Sequence, residues 1–339
     1  MSNATMQDVA QKAGVSVATV SRVLNGSDKV VEETRERVML ACKELDYTLH
    51  LAAQRLRLGK TNTICVILPF LTLPSIVERL RGVQEALLES KYDLIPFSVG
   101  SPEMRDSRVY DLSNRSRTDG LLIISMPIND QQAERLFNND MPVVLIDSEN
   151  PEFNRVNVND QEGGKLATQH LIDLGHRKIA FISSHLENPL QFSSTLNRYH
   201  GYCQALEAYG IPVNPGYQVE GEHGRKEAEE LALDLLQQAD PPTAIFASSD
   251  TKAIGILDAA KSLNIKVPEQ LSVIGYDNIR DAEYLNLTTI QQPLFQAGLV
   301  GGETLLKIID QDPTEPTEII MPVDLIVRGT TSPPERITR

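Results

Sequence analysis

Residues 5–24 read TMQDVAQKAGVSVATVSRVL, and this stretch decides the architecture of the N-terminal part of the chain. Thr5 followed three residues later by Asp8 is typical of a capping box at the start of a helix. Gly14 ends that helix, because glycine tolerates the left-handed backbone of a C-terminal cap. Ser16 then caps a second helix that begins directly after the turn. The stretch therefore predicts two short helices joined by a tight turn.

A third helix is predicted from about Glu32 to Asp46, where apolar residues recur at helical spacing. Two helices joined by a tight turn that contains glycine form a helix-turn-helix unit, whose second helix faces base edges in the major groove of DNA. In such a unit Arg22 can contact a guanine through two hydrogen bonds, while Val17 and Ala18 suit thymine methyl groups. The same spacing also fits a structural three-helix bundle whose small residues allow close packing.

The charge of the 339-residue chain is divided unevenly. Residues 1–60 carry nine Lys/Arg and seven Asp/Glu, a net charge of +2. Since the whole chain carries −14, residues 61–339 carry −16. A basic head on an acidic body favours contact of the head alone with phosphate. The composition is otherwise ordinary for a globular protein, and no apolar run approaches the ~20 residues of a membrane span. Three scattered cysteines indicate thiols in a reducing cytoplasm and not a disulfide framework.

The body repeats one pattern twice. In each copy an apolar strand is followed by a helix with a glycine motif, Arg81-Gly82 in the first and His200-Gly201 in the second. Each copy later contains an apolar strand that ends in aspartate, Asp147 or Asp277. Strands that alternate with helices build parallel sheets, which bind ligands beyond the carboxyl ends of their strands. We therefore predict an all-α helix-turn-helix head and an α/β body of two doubly wound parallel-sheet lobes.

The domain boundaries combine this pattern with a resemblance of the head and body to a known family, which implies the hinge, the effector-binding role of the body and the points where the chain crosses between the lobes. We predict a helix-turn-helix domain at 1–47, a hinge helix or linker at 48–60, a two-lobed effector-binding domain at 61–330 and a tail at 331–339. Within the body, lobe one is expected at about 61–159 plus 291–322, and lobe two at about 160–290.

The head resembles the DNA-binding signature of the lactose/galactose repressor family (LacI/GalR-type) of bacterial transcriptional regulators, over Asp8-Val9-Ala10, Ala13-Gly14 and the run from Val15 to Asn25-Gly26. The body resembles the same family to about residue 330, which implies lobes of the periplasmic-binding-protein type. Val31 departs from the family, which usually has a capping serine there. The resemblance implies that the residues at the operator are Ser16, Val17, Ala18, Thr19, Ser21, Arg22 and Asn25.

Residues 48–60 join the head to the body, and the part at 51–60 is too short to form a stable helix alone. The resemblance implies a hinge helix that orders on DNA and lies in the minor groove. Leu56 matches the leucine that wedges a base step, and Ala53 matches the small residue before it. A plain amphipathic linker is the alternative.

Polar residues at the strand ends indicate what lies between the lobes. Carboxylates accept hydroxyl hydrogens and an arginine fork donates to oxygens, a combination that suits a sugar or another polyol. The resemblance implies effector contacts for Arg198 and Asp277, followed by Asp147 and Ser249, while a neighbouring acid, Asp250, orders its loop. Taken one at a time, each could also be a solvated loop charge.

The first loop of the body departs from the family. Phe70 and Leu73 stand where many relatives have polar residues, so we expect a more apolar wall there. Phe192, Phe246 and His223 are candidates for a replacement wall, and Phe192 joins Phe70 and Leu73 in the predicted effector set.

The sequence predicts a regulator and not an enzyme. It contains no metal-binding histidine pair, no phosphate-binding glycine loop and no nucleophile elbow, so we expect neither a metal nor a cofactor. We predict a ligand-responsive repressor that binds a palindromic operator as a cytoplasmic homodimer, associated with the nucleoid when DNA-bound. A solute-binding protein that only captures sugar and a sugar-processing enzyme are the alternatives.

Overall fold

The computed structural model describes residues 4–24, 27, 29–47, 60–311 and 315–335. The chain divides into two compact units, residues 1–61 and 62–339, and each has its own hydrophobic core.

The first unit contains three helices, α1 (Met6–Ala13), α2 (Val17–Leu24) and α3 (Glu32–Glu44). The predicted capping box of α1 is present, since Thr5 and Asp8 bond each other's backbone, and Gly14 ends the helix at a φ of 66°. The apolar faces of the three helices meet in a small core around Val9, Val20 and Val38, all fully buried or nearly so. The predicted helix-turn-helix architecture is thereby confirmed.

Helix α3 is shorter than expected and is not capped by a side chain at its start. Val31 occupies the N-cap position and has no side-chain oxygen to accept a hydrogen bond. The helix ends at Glu44 and not at Asp46, because Asp46 has a left-handed φ of 49° that a helix cannot continue through. Lys12 of α1 forms a 2.7 Å ion pair with Glu44 and joins the two helices there.

Lobe one of the second unit is a six-stranded parallel sheet with helices on both faces. Its elements are β1 (Thr63–Pro69), α4 (Pro74–Leu87), β2 (Asp93–Val99), α5 (Pro102–Leu112), β3 (Gly120–Ile124), α6 (Asp130–Asn138), β4 (Val143–Ile146) and β5 (Asn154–Val158), joined later by α12 (Leu294–Asp310) and β11 (Glu318–Met321). The strand order is β11-β5-β4-β3-β1-β2.

Lobe two repeats this arrangement. Its elements are α7 (Asp160–Asp173), β6 (Ile179–Ser184), α8 (Ser194–Ala208), β7 (Gln218–Gly221), α9 (Arg225–Leu236), β8 (Ala244–Ala247), α10 (Asp250–Ser262), β9 (Ser272–Asp277), α11 (Arg280–Tyr284), β10 (Thr288–Gln291) and β12 (Asp324–Ile326). The strand order is β12-β10-β9-β8-β6-β7, and only β12 runs antiparallel to its neighbour. The predicted pair of parallel-sheet lobes is therefore confirmed.

The chain crosses between the lobes three times, after β5, after β10 and after β11. Lobe two gains residues that we had predicted to lie beyond it, because β12 joins its sheet and the following segment bonds to β9. Thr330 donates a 2.7 Å hydrogen bond to the carbonyl of Val273, and the amide of Ser332 donates a 3.0 Å bond to Ser272. The first residues of the predicted tail thus belong to the packed body.

Helices α4 and α12 of lobe one cross in backbone contact. A Cβ added to Gly82 would lie 1.9 Å from the carbonyl oxygen of Phe295, and one added to Gly298 would lie 1.9 Å from the carbonyl oxygen of Arg79. No side chain fits at either position, so the glycines let the two helices approach closely.

Lobe two makes the same crossing between α7 and α8. A Cβ on Gly201 would lie 2.0 Å from the carbonyl oxygen of Gln161, and one on Gly164 would lie 2.2 Å from that of Arg198. The repeated glycine motif therefore fixes two equivalent helix pairs, each carrying an arginine at the crossing.

Within the described ranges, no helix is both long enough and apolar enough to cross a membrane.

Candidate functional site

Helix α2 presents one face to the core and another to solvent. Val20 and Val23 are buried, whereas Val17, Ala18 and Arg22 are exposed. Ala18 and Arg22 are one helical turn apart and lie on one side of the helix, with Val17 adjacent to Ala18 at its start. The structure thus leaves the predicted base-reading residues free to contact a partner.

The N-terminus of α2 is held by Ser16. Its hydroxyl oxygen accepts a 3.1 Å hydrogen bond from the amide of Thr19 and lies 2.9 Å from the Thr19 hydroxyl. The first turn of the helix is thereby ordered, and its remaining amides form a seat that suits a phosphate. Ser21 is half-buried on the same helix. The other residues predicted at DNA, Asn25, Ala53 and Leu56, lie outside the described residues.

The second candidate site is a cleft between the two lobes of the body, at the carboxyl ends of their strands. All seven residues predicted to contact an effector line this one cleft. They are Phe70, Leu73 and Asp147 of lobe one and Phe192, Arg198, Ser249 and Asp277 of lobe two. The fold brings them together because each lies at the end of a strand, in a loop after a strand, or in the first turns of a helix at the facing edges of the sheets.

Arg198 is held rigidly in the lobe-two wall of the cleft. Its Nε donates a 2.7 Å hydrogen bond to Asp160, its Nη1 donates a 2.6 Å bond to the carbonyl of Ser248, and its guanidinium lies 3.8 Å from the ring centre of Tyr276. The same Nη1 lies 3.7 Å from Oδ1 of Asp277. This fork is therefore oriented before any ligand arrives, which lowers the entropic cost of binding.

Asp277 is a buried acceptor. Only 6% of its surface is exposed, and burial raises its pKa to about 6, against the opposing effect of Arg198 and Arg79. At neutral pH the carboxylate is mainly ionised and can accept hydroxyl hydrogens.

Asp147 is the corresponding acid of lobe one. Its Oδ2 accepts hydrogen bonds from Arg79 at 3.2 Å and from the Ser125 hydroxyl at 2.7 Å. Among the described residues nothing bonds its Oδ1, which is left for a ligand. The two acids thus present acceptors from opposite walls, as a polyol requires.

Three rings that line the cleft contact one another across the two lobes. The ring of Phe70 in lobe one lies 4.8 Å from that of His223 and 5.8 Å from that of Phe192, both in lobe two. Phe70 has a φ of 45°, an unfavourable backbone for a bulky residue, which indicates that the surrounding contacts hold it there. The expected apolar wall is therefore present. Phe246 was a wrong candidate for it, because this ring is fully buried in the lobe-two core on a central strand.

Asp250 has the structural role that was expected of it. It is fully buried, and its carboxylate accepts hydrogen bonds from the Ile279 amide at 2.8 Å and the Thr289 hydroxyl at 2.6 Å. Burial and the nearby Asp277 raise its pKa to about 8. It orders the segment after β9 and does not line the cleft.

Two basic residues of the cleft escaped prediction. Arg79 lies three residues before Gly82 just as Arg198 lies three residues before Gly201, so the internal repeat carried a usable signal. Lys252 lines the cleft from the first turn of α10, and no pattern in the sequence pointed to it.

Two known protein families match separate parts of the chain, one in each structural unit. Residues 5–49 match the family described as bacterial regulatory proteins, lacI family. Residues 168–331 match the periplasmic binding protein-like domain.

Individual relatives match nearly the whole chain. The ribose operon repressor of Haemophilus influenzae is 37% identical over 317 residues, which cover 92% of this chain and 93% of that protein. The structure of the Lac repressor dimer bound to operator and the anti-inducer ONPF is 28% identical, with a TM-score of 0.83 over 98% of this chain and 100% of that one. The complex of the transcriptional regulator CelR with cellobiose is also 28% identical, with a TM-score of 0.71 over 96% and 99% of the two chains.

Proposed function

The chain belongs to the lacI family of bacterial regulatory proteins, and on that premise we propose that it is a transcriptional repressor whose affinity for operator DNA is set by a small molecule in the interlobe cleft. The observation that carries the proposal is the surface of α2, where Val17, Ala18 and Arg22 are exposed above a buried apolar face. A helix so divided can enter the major groove without giving up its own core.

The protein binds DNA as a homodimer. The similar Lac repressor structure is a dimer on its operator. Two copies of α2 related by a two-fold axis fit a near-palindromic operator with half-sites about 34 Å apart. Its target is chromosomal DNA, which places the protein in the cytoplasm and on the nucleoid when DNA-bound.

The effector is a sugar or another polyol. Asp147 and Asp277 supply acceptors from opposite lobes, Arg198 supplies a fixed donor fork, and Phe70 with Phe192 supplies apolar surface for a ring face. The similar CelR structure holds cellobiose, which supports this class of ligand.

Control requires that the effector bind two states of the repressor with different affinity. A ligand held by both Asp147 and Asp277 favours one relative angle of the lobes. The angle that it favours is transmitted to the segment that joins the body to the head. No catalytic step is needed for this function.

The DNA arm of the proposal is tested by fluorescence anisotropy with genomic fragments at several salt concentrations. Replacing Arg22 by alanine should weaken specific binding by about 10- to 100-fold, because a bidentate base contact contributes about 1–3 kcal/mol. Lys43→Ala is the matched control, since it removes the same charge from an exposed position in the last turn of α3. Wild-type binding should also weaken steeply with salt.

Absence of any specifically bound fragment, or an Arg22→Ala variant as tight as Lys43→Ala, would overturn the assignment. The effector arm adds a panel of sugars to the same assay, and Asp277→Asn should abolish whatever shift a sugar produces.

A further inference from the structure

Lys252 is a buried cation in the cleft without an ionic partner. Only 1% of its surface is exposed, and it lines the cleft from the first turn of α10. Its Nζ donates a 2.7 Å hydrogen bond to the carbonyl of Glu222, and it forms no ion pair in the part of the chain that the structure describes. An ammonium group has three donor hydrogens, so two remain for a ligand.

The other two basic side chains that line the described cleft are neutralised. Arg79 pairs with Asp147 at 3.2 Å, and Arg198 pairs with Asp160 at 2.7 Å. Burying a charge without a counter-charge is costly, so an unpaired lysine stands out from these two arginines. A ligand that brings its own negative charge would complete the pair.

Two helices begin at the same cleft and add to the positive potential. Ser194 and Thr195 open α8, and the Ser193 side chain before them makes no capping hydrogen bond. Thr251 and Lys252 stand in the first turn of α10 and also line the cleft. At α10 the Ser249 side chain already accepts a 3.3 Å bond from the Lys252 amide, so the helix dipole is what favours an anion there. At α8, where the Ser193 side chain makes no capping bond, first-turn amides add to the effect of the dipole.

Lys252 and Asp277 lie among different charged groups of the cleft. The charges that act on Lys252 are those of Glu222 and Glu227, and burial lowers its pKa to about 8 despite them. Asp277 lies instead in the field of the two arginines. The Lys252 Nζ bonds the carbonyl of Glu222, next to His223 in the chain, whereas Asp277 lies 3.7 Å from Nη1 of Arg198, so the two side chains have different neighbours in the cleft wall.

Building on the proposed function, we propose that the effector is an anionic polyol, a sugar phosphate or a sugar carboxylate, whose charged group pairs with Lys252 while its hydroxyl groups bond Asp147 and Asp277. Lys252 is then the residue that sets specificity between charged effectors and their neutral parent sugars.

Calorimetry on the full-length protein tests this with matched probes. The first pair is glucose and glucose 6-phosphate, the second glucitol and gluconate, and inorganic phosphate is titrated alone. In at least one pair the charged member should bind at least about ten-fold more tightly than the neutral one, because a buried charge-assisted hydrogen bond is stronger than a neutral one. The pair that responds distinguishes a phosphate from a carboxylate, and inorganic phosphate should bind far more weakly than either ester or acid.

Three variants assign the effect to the side chain. Lys252→Met should lose about ten-fold or more in affinity for the charged member and leave the neutral member within about two-fold. Lys252→Arg should keep the preference for charge. Lys261→Met, on the exposed end of the same helix, should behave as wild type.

Several outcomes overturn the inference. A neutral sugar that binds as tightly as its charged partner contradicts it, and so does a preference for charge that survives Lys252→Met. If inorganic phosphate binds as tightly as glucose 6-phosphate, the proposed bonds from effector hydroxyl groups to Asp147 and Asp277 are contradicted. If no probe binds, the proposed class of anionic polyols is contradicted. The proposed repressor function is tested separately, by whether operator binding depends on Arg22, and none of these calorimetric results affects that test.

Discussion

The side-chain amide of Gln292 donates a 2.6 Å hydrogen bond to Oδ1 of Asp277. Its carbonyl oxygen accepts a 3.2 Å bond from Arg79 in lobe one. Gln292 lies just after β10, where the chain returns to lobe one, and is 4% exposed. One buried amide therefore joins the acid of one lobe to the arginine of the other at a crossing between them. A ligand that engages Asp277 acts on a residue tied to that crossing.

Replacing Gln292 by leucine should lower the free energy of unfolding by about 3 kcal/mol, because a buried carboxylate and a buried guanidinium each lose a hydrogen bond. Gln291→Leu is the control, since this neighbour is exposed and should cost less than about 1 kcal/mol. Urea unfolding followed by circular dichroism measures both. Equal losses in the two variants would show that the bridge contributes nothing.

A methyl group at Gly82 should separate two helices. Gly82→Ala places a Cβ 1.9 Å from the backbone oxygen of Phe295, so α4 and α12 must move apart at a cost of about 3 kcal/mol. Gly100→Ala meets nothing within 4 Å and should be nearly neutral. Thermal unfolding compares the two, and a Gly82→Ala protein as stable as Gly100→Ala would contradict the close crossing.

Lys252 should reduce stability near neutral pH. Burial lowers its pKa from 10.5 to about 8, so below pH 8 the folded protein holds a charge that prefers water. Lys252→Met should therefore be more stable than wild type by about 2 kcal/mol at pH 7, the gain being reduced by the lost bond to the Glu222 carbonyl. Between pH 8 and 10.5 the folded form loses its proton before the unfolded form does, so wild type gains relative stability and the difference shrinks.

Urea unfolding at pH 7 and at pH 10 measures that difference, with Lys261→Met as the control for an exposed lysine on the same helix. A Lys252→Met variant less stable than wild type at pH 7, or a gap that does not change with pH, would contradict the stated cost of burial.

A capping oxygen should stabilise α3. Val31→Ser supplies an acceptor for the amides of the first turn and should add about 1 kcal/mol of local stability. Hydrogen exchange in the full-length protein should slow at Glu33, since the Thr34 amide already donates a 3.0 Å bond to the Val31 carbonyl, whereas Val31→Ala should leave the exchange unchanged. Similar exchange in the two variants would indicate that something else already satisfies these amides.

Short-range patterns in the sequence were enough to predict helices and strands and some of the residues that line the cleft. The spacing of Thr5, Asp8 and Gly14 defined the first helix because capping and termination depend on neighbouring residues alone. Asp147 and Asp277 were placed at the cleft because both end apolar strands, and parallel strands bring their carboxyl ends to one edge.

Contacts between distant residues could not be predicted in this way. Phe246 and Phe192 are both aromatic, and only packing decides that the first lies in a core and the second at the cleft. No sequence pattern predicted that Lys252 would be buried at the cleft, since its burial depends on helices and loops that pack against it.

The sequence by itself determined which helices and strands form, that the body is a repeat, and which strand ends carry acids, because each of these is set by local spacing and periodicity. Only the tertiary structure decided that Gln292 bridges Arg79 to Asp277 and that Lys252 is buried without an ion pair among the described residues. The Gln292 bridge depends on distances at a crossing between the lobes, whereas Lys252 is buried by packing within lobe two, where it bonds the carbonyl of Glu222. Both arise from contacts between segments that are apart in the chain.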